Sequence, residues 1–167
     1  GNADAVVKLL VTRGSGGRGY RPPLQTEAKR IVIAAALPAS AFTTPEEGVR
    51  VRICTLRLGH QPALAGIKHL NRLEHVLAQQ EWHDPDIHEG LLFDQSGFLV
   101  SGTKSNVFLV RQGSLYTPRL DRSGVAGVTR ARLIEFARTA GLAVTEAADL
   151  TLDDVLSAEE VLLCNSL

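Results

Sequence analysis

Apolar and polar positions fall into short runs along this chain, and their spacing predicts strands interrupted by helices. Val6 to Val11 is β-branched and aliphatic and ends at Arg13-Gly14, which predicts a strand. Arg30 to Leu37 is a continuous apolar run closed by Pro38, which predicts a buried strand. Val49 to Leu58 alternates, with Val49, Val51, Ile53 and Thr55 set against Arg50, Arg52, Cys54 and Leu56, the pattern of a half-exposed strand. Pro62 and Gly66 mark a loop, after which His69 to Trp82 places Leu70, Leu73, Val76 and Leu77 on one helical stripe. Short strands are predicted at Gly90–Phe93, Phe98–Ser101, Asn106–Arg111 and Ser114–Thr117, with turn signals at Asp94-Gln95-Ser96-Gly97 and Gln112-Gly113. Val128 to Ala140 predicts a second helix with Val128, Ala131, Ile134 and Ala137 inward and Gly141 as its stop. Leu142–Glu146 and Val161–Cys164 read as strands. Between them Thr151–Leu156 reads as a short helix, with Thr151 as N-cap and Asp154 in the capping-box position. The sum is an α+β pattern rich in short antiparallel strands, with a domain boundary expected in the Leu58–Gly66 loop.

Composition narrows this picture. With 167 residues the chain fits one moderate domain or a domain plus part of another, and its 44% apolar and 22% charged content suits a packed core. A net charge of zero argues against nucleic-acid binding but leaves a small anionic substrate open, because a few placed cations suffice for that. Ile31 to Leu37, the longest apolar run, is too short to span a bilayer, so no membrane partner is expected. Cys54 and Cys164 read as two reduced thiols of a cytoplasmic protein, too few for a disulfide framework. The chain opens on Gly1-Asn2-Ala3-Asp4, contains no Met and stops just after an apolar strand, which leads to the expectation of a fragment cut at both ends.

Three segments carry candidate chemistry. Gly14-Ser15-Gly16-Gly17-Arg18-Gly19 is followed by Tyr20-Arg21-Pro22-Pro23, so no helix starts there and the dinucleotide loop is excluded. It is either a flexible turn or a loop that delivers Arg18 and Tyr20 to an anion. Lys68 follows a loop and the apolar Ala65-Gly66-Ile67; desolvation there would favour a neutral, nucleophilic amine, whereas most lysines at such positions are solvated. Gly124-Val125-Ala126-Gly127-Val128-Thr129-Arg130 leads into a helix, either an anion-binding helix start or a plain loop-to-helix junction. His69 and His75 are six apart and share no helix face, so no metal site is expected.

Taken together, these pieces resemble a known family. Gly66-Ile67-Lys68-His69-Leu70-Asn71-Arg72-Leu73-Glu74 looks like the cofactor-lysine segment of fold-type IV, or class IV aminotransferase, pyridoxal-phosphate enzymes. Ser101-Gly102-Thr103-Lys104-Ser105-Asn106-Val107-Phe108, then Tyr116 to Leu120 with Gly124 to Arg130, then Glu159 to Ser166 resemble its later motifs, in order. Arg13 to Tyr20 is similar to the aminodeoxychorismate lyase branch in particular. The resemblance implies a D-amino-acid-aminotransferase-like α+β fold, with residues 1–60 the remainder of an N-terminal domain and 61–167 a cofactor-binding domain. Family members start earlier, with a strand arginine for the cofactor phosphate, and run on past the Asn165-Ser166 position.

By the same resemblance, Lys68 would form the Schiff base with pyridoxal 5′-phosphate and act as catalytic base. Val128, Thr129, Asn165 and Ser166 would hold the cofactor's phosphate region, and Arg18 with Tyr20 would meet a substrate carboxylate. The implied reaction converts 4-amino-4-deoxychorismate to 4-aminobenzoate and pyruvate in folate biosynthesis, in a cytoplasmic homodimer. An aminotransferase acting on branched-chain or D-amino acids, and an inactive truncated domain, are the alternatives. Ser101 stands where the family usually carries a glutamate opposite the cofactor's ring nitrogen. A hydroxyl cannot keep that nitrogen charged, which weakens the ring as an electron sink and favours lyase over aminotransferase chemistry.

Overall fold

The structure, a computed structural model, describes residues 4–37 and 47–166. Two compact units divide the chain, Gly1–Thr44 and Pro45–Ser166. The first holds β1 (Ala5–Thr12) and β2 (Lys29–Ala36), paired antiparallel with Leu9 opposite Val32. Every residue of β2 is exposed, against the buried strand that its apolar run predicted. Two strands make a single layer, and a second layer is what would cover a face. Pro38, the expected stop of β2, lies outside the described residues.

The second unit runs β3 (Arg50–Leu58), α1 (Leu73–Gln79), β4 (Ile87–Asp94), β5 (Leu99–Gly102), β6 (Asn106–Arg111) and β7 (Ser114–Pro118). It continues with α2 (Val128–Thr139), β8 (Val144–Ala147), α3 (Leu152–Leu156) and β9 (Glu160–Cys164). One sheet has the order β3-β4-β5 and the other β8-β7-β6-β9. β3 and β4 are parallel, as are β7 and β8, with α1 and α2 in the respective connections, as parallel pairing requires. The sequence pattern placed β3 with the first segment, before a boundary at 58–66. Its pairing with β4 puts it in the second unit instead, because a strand belongs with its long-range partner, which local periodicity does not reveal.

β4 lies between two apolar clusters. Leu91 and Phe93 join Leu99, Val107 and Leu109 on one face, while Leu92 meets Cys54, Leu58 and Ala78 on the other. Burial on both faces is why β4 reads as an unbroken apolar run rather than an alternating one. Cys54 and Cys164 are both free, and burial, reinforced by Glu81, pushes the Cys54 thiol up to about 11.

Both longer helices differ from their predicted registers. α1 begins at Leu73, and Leu70, Leu73, Val76 and Leu77 are exposed while Ala78 is buried. The carbonyl of His69, which an earlier helix start would need, accepts instead from Arg72 Nε at 3.0 Å. α2 buries Arg130, Ile134 and Ala137 and leaves Val128 exposed. The Arg130 guanidinium reaches Thr117 Oγ1 (3.2 Å), the Pro118 carbonyl (2.9 Å) and Glu146 (2.9 Å), fastening α2 to β7 and β8. α3 follows its pattern: the Thr151 hydroxyl accepts from Asp154 N–H (3.3 Å), and the Asp154 carboxylate accepts from Thr151 N–H (2.8 Å). Gln112 and Gly113 both have positive φ, +49° and +68°, the two-residue hairpin turn expected between β6 and β7.

Two carboxylates repair local breaks in the backbone bonding. The β3–β4 register shifts between Ile53 and Arg57, and the Thr55 and Leu56 N–H groups donate to Glu81 at 2.7 and 2.8 Å. Arg52 adds a contact to the same carboxylate at 3.1 Å. Asp94 accepts from Ser96 N–H (2.9 Å) and Phe98 N–H (3.0 Å) and meets His60 Nε2 at 2.8 Å. Burial opposes the charge on each, yet the hydrogen bonds, led by those from Thr55 and from Phe98, together hold both below the usual carboxylate range.

A depressed folded-state pKa stabilises the fold in full above the ordinary carboxyl value of about 4, and that contribution is lost as pH falls through the lowered value. Glu81→Gln is therefore expected to cost roughly 1–3 kcal/mol at neutral pH and to flatten the acid limb of stability. Urea midpoints measured against pH check this; an acid limb as steep as the wild type's refutes it. In the core, Leu92→Ala is expected to cost about 2–5 kcal/mol in the same urea unfolding, and a midpoint within error of the wild type's would contradict the two-sided burial of β4.

Candidate functional site

A cleft of about 380 Å³ in the second unit is lined by four short segments. They are the loop before α1 with that helix's first turn, the turn between β5 and β6 with the adjoining strand ends, the loop leading into α2 with Val128, and the residues closing and following β9. Two backbone bonds join the first and third of these. Gly66 N–H donates to the Gly124 carbonyl, and Ala126 N–H donates to the Gly66 carbonyl, each at 3.0 Å. Gly66 and Val125 thereby form an isolated parallel bridge, which ties the segment carrying Lys68 to the start of α2.

At that start, Gly127 is the N-cap residue, with φ −66° and ψ 142° and no side-chain cap. Asn106 packs directly against it and donates from Nδ2 to the Val125 carbonyl at 2.8 Å. A Cβ at position 127 would sit 2.1 Å from Asn106 Oδ1, so no side chain fits there. Glycine offers no side chain to cap the first N–H groups of α2, and no acid occupies the first turn. Such a helix start favours an anion through its open donors and its dipole.

The β5–β6 turn is held by a buried carboxylate behind it. Glu89, only 3% exposed, accepts from Gly90 N–H (2.9 Å), Thr103 N–H (3.0 Å), Lys104 N–H (3.3 Å) and Ser105 Oγ (2.8 Å). The Thr103 hydroxyl also donates to Glu89 and accepts from Gln79 Nε2 at 2.5 Å. Neutral donors converging on both oxygens satisfy a charge whose burial would otherwise be costly.

The cleft brings together Lys68, Ser101, Val128, Asn165 and Ser166 of the residues singled out in the sequence. Ser101 is buried on β5, and Asn165 and Ser166 follow β9. Thr129, the second residue of α2, is half-buried and does not line the cleft. Lys68 lines it but is exposed, as is the neighbouring Ile67, so the apolar, desolvating surroundings expected of Lys68 are not supplied by its own segment. Arg18 and Tyr20 belong to the first unit, in the segment between β1 and β2, where both are exposed.

Four lining residues add charge or chemistry that the sequence did not single out. Arg72 and Lys104 join Lys68 as cations, and no aspartate or glutamate is among the described lining residues. In a chain of zero net charge, that local excess suits an anionic ligand. His75 also lines the cleft; burial first, then Arg72, lowers its pKa, so the ring is neutral at physiological pH. Cys164 is the fourth, and burial raises its thiol pKa. Arg72 and His75 sit at and beyond the predicted first helical turn, where periodicity reads them as the polar face. The signal for Glu89 was an acid set directly before an apolar strand core.

The family model described as amino-transferase class IV matches residues 1–167. The aminodeoxychorismate lyase of Vibrio harveyi is 40% identical over 165 residues, 98% of this chain and 60% of that protein. The crystal structure of 4-amino-4-deoxychorismate lyase from Pseudomonas aeruginosa superposes with a TM-score of 0.91 at 46% identity, over 96% of this chain and 59% of that one. The branched-chain-amino-acid aminotransferase of Escherichia coli is 27% identical over 165 residues, 96% of this chain and 52% of that protein. The chain thus spans a little over half the length of the proteins it matches.

Glu89→Gln would turn one acceptor oxygen into a donor facing N–H or hydroxyl groups. The expected cost is about 2–3 kcal/mol, the scale of orphaning buried donors to a charged acceptor. Urea unfolding of the variant reads it, and a midpoint equal to the wild type's would show that the turn does not depend on the carboxylate.

Proposed function

We propose that this chain, which belongs to the class IV aminotransferase family, carries the cofactor cleft of a pyridoxal-phosphate lyase acting on 4-amino-4-deoxychorismate. The observation that carries the reading is the joining of Lys68 and the open start of α2 in one cation-lined cleft. The likeness to the Pseudomonas aeruginosa and Vibrio harveyi lyases supports the choice of substrate. The products would be 4-aminobenzoate, a folate precursor, and pyruvate. The same proposal includes a cytoplasmic homodimer, which rests on the family resemblance.

The residues present fit the cofactor. A phosphate suits the uncapped α2 start at Gly127, where Asn106 leaves no room for a side chain and the neighbouring lining residues bring only positive charge. Val128 and Thr129 would hold it through backbone N–H groups, with Asn165 and Ser166 as further contacts. Ser101 would hydrogen-bond the ring nitrogen. When bound, the cofactor supplies an aldehyde for Lys68 and a conjugated ring that draws electrons from the carbon bearing the substrate's amine.

The chain's own residues would do the rest. Lys68 Nζ would be the group that anchors the cofactor's aldehyde and gives it up to the substrate amine. Once free, the same nitrogen accepts the proton from the amine-bearing ring carbon. Loss of that proton and of the enolpyruvyl group, which would depart with its ether oxygen and take up a proton to become pyruvate, would leave an aromatic ring, a driving force that a transamination lacks. The uncharged Ser101 hydroxyl is compatible with this division of labour. The assignment of Arg18 and Tyr20 to a substrate carboxylate rests on the family resemblance alone, the guanidinium offering two N–H groups to two oxygens.

Two measurements test the reading. Lys68→Ala is expected to remove the cofactor's protein-bound absorbance band and to lower 4-aminobenzoate formation by about 10²–10⁴-fold. An unaltered spectrum rejects Lys68 as the anchor. The wild-type protein, given 4-amino-4-deoxychorismate, is expected to release fluorescent 4-aminobenzoate. Accumulation of pyridoxamine phosphate with an amino acid, and no aminobenzoate, would assign it as an aminotransferase instead.

A further inference from the structure

Lys68 sits in a stretch that belongs to neither helix nor strand. Gly66, two residues before it, is anchored by its pair of bonds to the loop leading into α2. Ile67 N–H donates to the Leu64 carbonyl at 3.2 Å. Beyond that point, among the described residues, regular backbone bonding stops until α1 begins at Leu73, so backbone pairing does not set the direction of the Lys68 side chain.

One side chain takes the carbonyls on both sides of it. Arg72 Nη2 donates to the Ile67 carbonyl at 2.8 Å, and Arg72 Nε donates to the His69 carbonyl at 3.0 Å. A rigid, planar guanidinium offers these two donors in a fixed relation, so the loop from 67 to 69 is wound onto one flat group. Arg72 is itself half-buried and opens α1 as its N-cap residue, which makes the helix the base from which the clamp works. We propose that Arg72 is a positioning residue, which holds the backbone around Lys68 so that the amine projects into the cleft ready to meet an aldehyde.

This inference rests on the reading of Lys68 as the cofactor anchor. It differs from a role for Arg72 as a direct ligand of the anion, because the two nitrogens that face the loop are engaged by carbonyls. Lysine at 72 would keep the charge but has a single nitrogen, which cannot reproduce two spaced donors on one rigid plane. Loss of the preset direction should therefore slow the reaction of Lys68 while the cleft's affinity for anions persists.

The test follows how fast each lysine captures pyridoxal 5′-phosphate in the intact protein freed of cofactor. Samples are reduced with borohydride at timed intervals, and labelled peptides are quantified by mass spectrometry. Lys104 lines the same cleft and serves as the internal control. In Arg72→Lys and Arg72→Gln, labelling of Lys68 is expected to slow roughly ten- to a hundredfold relative to Lys104, the scale of losing a reacting group's orientation. A Lys68-to-Lys104 ratio equal to the wild type's in Arg72→Lys overturns the inference, and that variant decides the matter if Arg72→Gln fails to fold. An equal fall at both lysines points to lost anion binding and also overturns it. Wild-type protein that labels elsewhere than Lys68 rejects the functional reading itself, a result distinct from the other two.

Discussion

The cleft depends on the two backbone hydrogen bonds that Gly66 makes with Gly124 and Ala126. They join segments nearly sixty residues apart in the chain. Without them the amine at position 68 and the helix start at 128 would be independent features of one surface. With them, Lys68 and the opening residues of α2 line one volume that a single small molecule can fill. Such bonds are individually worth only about 1 kcal/mol in stability, but they are directional, and direction is what a site requires.

The surrounding charges follow a common logic. Glu89 and Glu81 are held mainly by backbone N–H groups, and Arg130 and Arg72 reach backbone carbonyls. Each uses its charge to satisfy backbone that the strand and helix ladders leave unpaired. A buried polar backbone group without a partner costs more than a typical hydrogen bond contributes, so these side chains decide where irregular backbone is tolerated. Irregular backbone is what lines the cleft: the 66–68 loop, the 102–105 turn and the 124–127 loop are all stitched from behind in this way or by Asn106. The described lining residues are themselves only cations and neutral groups.

Keeping acids out of the described lining also separates holding a ligand from building the site. The carboxylate nearest the β5–β6 turn points into backbone donors, while Ser101 faces the cleft as a buried hydroxyl. A site so arranged attracts phosphate or carboxylate groups, and its described residues offer no fixed negative charge with which to balance a protonated ring nitrogen.

Much was legible in the sequence because it depends on neighbours a few residues apart. The capping box of Thr151 and Asp154, the hairpin turn at Gln112-Gly113, the short strands from β4 to β7 and the glycine-led start of α2 are all local, and the structure contains them. The order of the motifs around Lys68, Ser101, Val128 and Ser166 was enough to group the residues that line the cleft. What the sequence could not determine is which face of an element finds a partner. The apolar run of β2 is exposed because the described residues of its unit form no second layer, and the stripe of α1 turns outward because Arg72 takes the His69 carbonyl and Ala78 packs inward instead. Only tertiary contacts brought Glu89 and Asn106 to their tasks, because a buried charge or amide is permitted only where distant backbone groups converge on it, and that convergence has no period along the chain.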